Sequence, residues 1–164
     1  SRLSPAGKPL YSPDSPAICR RRILLSALEY CRQHDRFAAN NGIELLEASP
    51  GHARAQMTVV PERFNSIGSA HGGSIFSLAA TTFFMACNAS GQTAVGTNMT
   101  ITCLKMATQG VLTAEATEIS RSRRLSHVTV RVTDEGGDLV ALFQGTAYIK
   151  HSPFPPEVGQ TNRE

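Results

Sequence analysis

The chain has 164 residues, of which 41% are hydrophobic and 18% charged, and its formal net charge is +3. These values predict one soluble globular domain that is long enough to bury a core. The mild charge contains no long basic run, which argues against a nucleic-acid-binding surface. No apolar run approaches the roughly 20 residues of a membrane-spanning helix.

The predicted domain is flanked by proline-rich segments. They contain Pro5, Pro9, Pro13 and Pro16 at one end and Pro153, Pro155 and Pro156 at the other. This composition favours loose tails over residues 1–16 and 151–164, and it places the folded domain at residues 17–150. The first tail also lacks an apolar segment of the signal-peptide kind.

The first predicted element is a helix over residues 17–39, because apolar side chains recur there at helical spacing. Those side chains are Ile23, Leu24, Ala27, Leu28 and Cys31. Asn40-Asn41-Gly42 is expected to end this helix. Residues 43–60 follow as a strand pair or one long bent strand, with a turn at Pro50-Gly51.

The central element is a helix over residues 73–89 that is apolar on nearly all sides, so we expect it to be buried on nearly all sides. Strands are predicted at residues 93–104, 111–120, 125–133 and 139–150, with a hairpin turn at residues 135–138. The first of these strands is expected to place one set of side chains on one face: Val95, Thr97, Met99, Ile101 and Cys103. The order of elements favours an α+β fold in which an antiparallel sheet curls around a buried helix, with an extra N-terminal helix.

The four cysteines, at positions 19, 31, 87 and 103, form no Cys-x-x-Cys pair. Their spacing indicates neither a zinc site nor a disulfide framework. Cys87 and Cys103 lie in apolar stretches and are predicted to be small core residues. A reducing, cytoplasmic compartment is the simplest interpretation.

The segment that enters the central helix is the most informative part of the chain. It reads Asn65-Ser66-Ile67-Gly68-Ser69-Ala70-His71-Gly72-Gly73 and changes at once into an apolar helix. Free backbone N–H groups at a helix N-terminus favour a negative charge, or a carbonyl oxygen that is becoming negative. However, no Asp or Glu occurs between Glu62 and Glu115, so the predicted oxyanion site has no obvious catalytic base beside it.

This order of elements, with His71-Gly72-Gly73 entering the buried helix, resembles the hotdog fold. More closely, it resembles the PaaI-type acyl-CoA thioesterases of phenylacetate catabolism. The likeness covers roughly residues 34–150 and rests on several blocks that occur in order. These blocks are Asp35-Arg36-Phe37 with Gly42-Ile43-Glu44, residues 61–65, residues 71–73, residues 75–79 with Ala86-Cys87-Asn88, and residues 140–145.

The resemblance implies roles for individual residues. It implies that the Gly72 N–H polarises the thioester carbonyl, that Asn65 places water or substrate, and that Gly73 contacts coenzyme A. His71 is either a catalytic group or an anchor of the loop. The family's acidic base or nucleophile falls on position 80, which is Ala80 here.

The resemblance also implies a reaction and an assembly. The reaction is hydrolysis of an acyl-CoA with an aromatic or medium-chain acyl group, without a metal and with no cofactor besides the coenzyme A of the substrate. The assembly is a homodimer or homotetramer whose active site is shared across the dimer interface, with neither nucleic acid nor membrane as a partner.

The turn Arg121-Ser122-Arg123-Arg124 has two interpretations. It is either a solvated charged turn or a clamp for the phosphates of coenzyme A, because Arg and backbone donors suit phosphate oxygens. The histidines at positions 34, 52, 127 and 151 show no metal-ligand spacing.

Ala80 leaves three explanations open. The first is an engineered replacement in a working thioesterase. The second is a natural variant that hydrolyses slowly by orienting water with Asn65, His71 and the oxyanion site. The third is a non-catalytic protein that binds acyl-CoA. The first two are enzymes and the third is a binding module.

Overall fold

The computed structural model describes residues 27–156. The predicted N-terminal tail, the first ten residues of the predicted first helix and residues 157–164 lie outside this range. No helix within residues 27–156 has the length and apolar character needed to cross a membrane.

Three helices and six strands make up the described fold. They are α1 (27–34), α2 (Arg36–Asn40), β1 (Ile43–Ser49), β2 (His52–Thr58), α3 (Gly72–Asn88), β3 (Gln92–Cys103), β4 (Val111–Arg121), β5 (Leu125–Thr133) and β6 (Leu139–Pro153), with a 3-10 turn at Pro61–Arg63 between β2 and α3. All strand pairs are antiparallel, in the order β1-β2-β4-β5-β6-β3. The predicted α+β architecture is confirmed.

The helix α3 is the centre of the domain, because it packs against all six strands. Its apolar side chains are mostly buried, as the sequence predicted. Only one stripe, with Phe76, Ala80 and Phe84 at four-residue spacing, is half-buried. The sheet is not closed, and this stripe is where it leaves the helix uncovered.

Two glycines let the sheet approach α3 closely. A Cβ on Gly145 would lie 2.6 Å from Phe83 Cε2, and a Cβ on Gly96 would lie 3.1 Å from Phe83 Cε1. The Phe83 ring also packs against Phe143, with ring centroids 5.6 Å apart. The absence of side chains at both glycines therefore makes room for a buried aromatic ring.

The single predicted helix over residues 17–39 is divided at its C-terminal end. Asp35 interrupts it, and the Asp35 Oδ1 accepts a hydrogen bond of 2.9 Å from the Ala38 N–H. A side-chain cap of this kind starts a new helix, α2, in place of a continuation of α1.

The strand β3 differs from the predicted alternation. A bulge between Gly96 and Asn98 adds one residue, so Val95 pairs with Tyr148 on the outer face while Met99 pairs with Gly145 on the inner face. The prediction that Val95 shares a face with Met99 is therefore wrong, because the bulge inverts the period of two.

The prediction that Cys103 is a core residue is also wrong, since Cys103 is exposed. It ends β3, an edge strand of the sheet, so it is not enclosed between two strands. The companion prediction for Cys87 is confirmed, because Cys87 lies in α3 and is buried.

The C-terminal strand runs past the predicted domain boundary at residue 150. β6 continues to Pro153, and Phe154 beyond it is buried. The Phe154 ring packs edge-on against Phe84 at 5.5 Å and Tyr30 at 5.8 Å. Residues 151–154 thus join the start of the described chain to the C-terminal half of α3.

Candidate active site

The loop before α3 is shaped by the side chain of Asn65. Its Oδ1 accepts hydrogen bonds from the N–H groups of Ile67 (3.0 Å) and Ser69 (3.2 Å), and its Nδ2 donates to Ser69 Oγ (2.9 Å). A bridge between Phe64 and Ala70 closes the base of the loop. Asn65 therefore holds the loop in one shape and keeps one further amide N–H that it can donate.

His71 is the N-cap of α3. Its Nδ1 accepts a hydrogen bond of 2.9 Å from the Gly73 N–H, and its own N–H donates to the Arg63 carbonyl at 2.8 Å. A neutral imidazole that accepts at Nδ1 carries its proton on Nε2. This arrangement is that of an anchor for the loop, and the Gly73 N–H is occupied by its hydrogen bond to His71.

Gly72 is the first residue of α3 and is exposed. Its N–H has no hydrogen-bond partner within residues 27–156. It lies in a cleft of about 360 Å³. The lining residues are Asn65, Ile67, Ser69, Ala70, Gly72, Ile75, Cys103, Leu104, Lys105, Met106 and Ala107. The cleft thus joins Gly72 and Asn65, two of the predicted site residues.

The opposite wall of this cleft, residues 103–107, was not predicted from the sequence. The N–H groups of Leu104 and Lys105 donate to the Val140 carbonyl at 2.8 and 3.2 Å, and the Ala70 N–H donates to the Ala107 carbonyl at 2.8 Å. The wall is therefore tied both to β6 and to the loop before α3.

Lys105 adds a side-chain connection to the hairpin between β5 and β6. Its Nζ lies 2.6 Å from Asp134 Oδ2 and 2.6 Å from Asp138 Oδ2. The hydrogen bonds to Asp134 and Asp138 raise the pKa of Lys105, and the hydrogen bond from Lys105 lowers the pKa of Asp134. These partners are 29 and 33 residues away in the chain, so only the fold reveals the cluster.

Ala80 lies outside the cleft, on the half-buried stripe of α3. Eight residues of helix place it about 12 Å along the axis from Gly72. No Asp or Glu is among the described residues that line the cleft. One chain therefore presents the Gly72 N–H in the cleft without a carboxylate beside it.

The Arg121-Ser122-Arg123-Arg124 turn lies near the other end of α3. Arg121 donates to Glu118 Oε1 at 2.9 Å and to Ser90 Oγ at 2.8 Å, just beyond the end of α3. Since α3 has 17 residues, about 24 Å of helix axis separates that end from Gly72.

The four residues of this turn have different surroundings. Ser122 Oγ accepts from the N–H groups of Arg124 (3.3 Å) and Leu125 (3.0 Å), which shapes the turn. The Arg124 guanidinium donates to Tyr148 Oη at 2.7 Å. Arg123 is exposed, and its side chain makes no hydrogen bond or ion pair within the described part of the chain.

The described residues also contain no cluster of three His, Cys, Asp or Glu side chains that could hold a metal ion.

Comparison with known proteins identifies the family. The model of the family described as Thioesterase superfamily matches residues 67–141, from the loop before α3 into β6. The acyl-coenzyme A thioesterase PaaI of Escherichia coli K12 is 33% identical over 117 residues, which cover 71% of this chain and 84% of that protein. The chain belongs to the thioesterase superfamily. The resemblance stated from the sequence is thereby confirmed.

Comparison with solved structures shows that this member of the thioesterase superfamily has the hotdog fold. The structure of Escherichia coli PaaI aligns with a TM-score of 0.76 at 29% identity, covering 79% of this chain and 94% of that chain. The structure of smu.793 from Streptococcus mutans UA159, solved bound to acetyl CoA, aligns with a TM-score of 0.63 at 26% identity, covering 66% and 88%. Human acyl-coenzyme A thioesterase 13 is 28% identical over 134 residues, covering 78% of this chain and 93% of that protein.

Proposed function

We propose that this thioesterase-superfamily chain hydrolyses acyl-CoA thioesters with an aromatic or medium-chain acyl group. The observation that carries the proposal is the Gly72 N–H, which stands at the start of α3 in an open cleft without a partner among the described residues. The names of Escherichia coli PaaI and human acyl-coenzyme A thioesterase 13 support this reaction, and the acetyl CoA bound to smu.793 supports the ligand.

In the proposed reaction the thioester carbonyl oxygen accepts a hydrogen bond from the Gly72 N–H. Water adds to the carbonyl carbon, and the oxygen becomes negative where the N–H and the positive end of the α3 dipole stabilise it. The C–S bond then breaks. The products are a carboxylic acid and the thiol of coenzyme A, whose sulfur takes up the proton that the attacking water loses. No cofactor or metal takes part in these steps.

Ala80 limits the rate of this reaction, because a methyl group cannot accept a proton from water. A positioned acid–base group contributes about 10²- to 10⁴-fold. Asn65, with one amide N–H still available, and His71, whose Nε2 is free of the cap, are the groups proposed to orient the water. The expected hydrolysis is therefore slow.

Ala80 is also the observation that favours a second candidate function, a protein that binds acyl-CoA without hydrolysing it. Both functions use the Gly72 donor, and they differ in whether thiol is released. Hydrolysis of a panel of acyl-CoAs, followed by the appearance of free thiol, separates the two.

We propose in addition that the chain assembles as a homodimer or homotetramer. Phe76 and Phe84 on α3 are only half-buried, and Met99 is exposed on the inner face of the edge strand β3, so one chain leaves these apolar side chains partly open to solvent. A second copy packed against these side chains would cover them and would bring position 80 of one chain towards the Gly72 cleft of another.

The phosphates of coenzyme A are proposed to bind at Arg123 and Arg124. Arg121 is already paired with Glu118, and Ser122 shapes the turn. Because the turn lies at the far end of α3 from Gly72, the assembly would allow one chain to supply the phosphate contacts and another chain to supply the oxyanion donor.

The role of the Gly72 N–H is tested by replacing Gly72 with Pro, which removes the N–H. Pro is well tolerated at the first residue of a helix, and it requires an extended residue before it. His71 already has φ −63° and ψ 136°. We expect Gly72→Pro to fold and to lose about 10²- to 10³-fold in kcat for acyl-CoA hydrolysis.

Gly72→Ala is the matched control, since it keeps the N–H and a Cβ there meets no atom within 4 Å. It should retain most of the activity. A folded Gly72→Pro protein with unchanged kcat would contradict the oxyanion role. An unmodified chain that releases no thiol from any acyl-CoA would remove the thioesterase proposal and leave the binding protein.

A further inference from the structure

The mouth of the Gly72 cleft carries three exposed apolar side chains from two separate segments. Ile67 is 71% exposed in the loop before α3, and Leu104 and Met106 are 56% and 58% exposed in the opposite wall. All three line the cleft. We call this set the apolar rim. Clustered exposed apolar side chains around a cleft are typical of a ligand contact.

The apolar rim is held in place on both sides. The Leu104 N–H is bonded to the Val140 carbonyl, and the Ile67 N–H is bonded to Asn65 Oδ1. Between Leu104 and Met106, the Lys105 ammonium is engaged by Asp134 and Asp138 at 2.6 Å each. The rim is thus preformed, and its cation is already paired.

The charge beside the rim disfavours the phosphate end of the substrate. One ammonium and two carboxylates leave a formal charge of −1 at Lys105, Asp134 and Asp138. Phosphate groups are repelled by this charge, whereas an uncharged hydrocarbon group is not. The Arg123 guanidinium, which makes no ion pair within the described part of the chain, lies at the far end of α3 from Gly72.

We infer that the apolar rim of Ile67, Leu104 and Met106 contacts the acyl group of the substrate and selects large uncharged acyl groups. The inference rests on the proposed function, since it assumes a thioester carbonyl at Gly72. It adds to that function the residues that select the acyl group and one further distinction: among acyl groups of similar length, those that end in a carboxylate are disfavoured by the negative charge beside the rim.

Binding of 2-oxoalkyl-CoA thioethers tests this inference without hydrolysis. In these probes a methylene separates the sulfur from the carbonyl carbon, so the carbonyl is kept and no thiol is released. Calorimetry would compare an acetyl-sized probe, a phenylacetyl-sized probe and a succinyl-sized probe. The unmodified chain should bind the phenylacetyl-sized probe most tightly and the succinyl-sized probe less tightly than an uncharged probe of the same length.

The rim variant is the double substitution Leu104→Ala with Met106→Ala. It should weaken binding of the phenylacetyl-sized probe by about tenfold or more and change binding of the acetyl-sized probe little, because loss of a hydrophobic pocket contact lowers affinity by about 10- to 200-fold. Ile119→Ala is the matched control: Ile119 is 66% exposed on β4, away from the cleft, and its removal should change neither affinity.

Two further variants keep the test decisive. Ile67→Ser changes a side chain that is 71% exposed in a loop, so it should fold and shift selectivity in the same direction even if the double variant does not fold. Asp138→Asn removes one negative charge from a side chain that is 71% exposed, and it should improve binding of the succinyl-sized probe.

Equal weakening of the acetyl-sized and phenylacetyl-sized probes, or no change in either, would overturn the inference while leaving the proposed function in place. An unmodified chain that binds none of the probes would overturn both. Selective loss of the large uncharged probe supports the inference.

Discussion

Ala80 lies half-buried between Phe76 and Phe84 on the uncovered stripe of α3. This position gives a side chain access to the outside of its own chain while its backbone remains in a rigid helix. A carboxylate placed there would be held by the helix and would keep contact with water or with a neighbouring chain. Position 80 is therefore both rigidly held and accessible, as a catalytic base must be, although the methyl group of Ala80 cannot accept a proton.

We predict that Ala80→Asp raises acyl-CoA hydrolysis by about 10²- to 10⁴-fold, because a positioned base is added to the oxyanion donor. Ala80→Asn is the control, since it has the same shape and cannot act as a base at neutral pH. Steady-state thiol release from several acyl-CoAs and a melting curve of each variant are the measurements. If a folded Ala80→Asp protein hydrolyses none of them faster than the unmodified chain, the non-catalytic binding function is favoured.

At the scale of elements, the wall of the cleft depends on Lys105 and its two carboxylate partners. Asp134, whose pKa is lowered by Lys105 below its ordinary 3.8, contributes stability at neutral pH that is lost as the pH falls through its folded pKa. Lys105, whose pKa is raised above its ordinary 10.5, contributes stability that is lost as the pH rises through its folded pKa.

The resulting prediction concerns Lys105→Met. The Tm difference between the unmodified chain and this variant should be constant from about pH 5 to about pH 9 and should shrink on either side. Because the groups are exposed to solvent, added salt should reduce the difference. Thermal denaturation across pH at low and high salt measures both effects. A difference that grows in acid would contradict the assignment.

The elements also show which parts of the fold could be predicted from the sequence. β5 and the hairpin turn after it were predicted because period-two alternation and Gly136-Gly137 are local signals. The bulge at Gly96 was not predicted, since a glycine also occurs in regular strands. The need for a glycine at this position comes from Phe83, which packs closely against the inner face of the sheet there. The sequence pattern therefore predicts where strands lie more readily than it predicts which face of the sheet each side chain occupies.

The candidate site divides in the same way. His71-Gly72 was predictable because a helix start is encoded by neighbouring residues. The wall with Leu104 and Lys105 was not, because it joins the site through β6 and through residues about thirty positions away. The hydrogen bond by which Asn65 holds the loop to Ser69 likewise could not be predicted, since an Asn at a turn does not indicate which residue its side chain contacts.

At the scale of the whole molecule, β3 is an edge strand of the sheet, and apolar side chains lie beside it. We predict a stable dimer or tetramer at micromolar concentration, because Met99 is exposed on the edge strand β3 and Phe76 and Phe84 of α3 are only half-buried. Met99→Glu, at a side chain that is 39% exposed on the inner face, should shift the protein towards the monomer.

Sedimentation velocity measures this shift, and Ile119→Glu, at an exposed position of β4, serves as the control for added charge alone. A monomeric unmodified chain at micromolar concentration would contradict the assembly. It would also remove the route by which position 80 and the Gly72 cleft could act together.

Cys103 is an exposed residue in the wall of the Gly72 cleft. Burial raises the pKa of Cys31 to about 12 and that of Cys87 to about 11, so both remain protonated and shielded. Among the described cysteines, electrophiles would thus react first at Cys103, which lines the same cleft as Gly72. An acyl-sized compound that carries a mild electrophile is therefore a route to covalent inhibition, with Cys103 as the residue that it would modify.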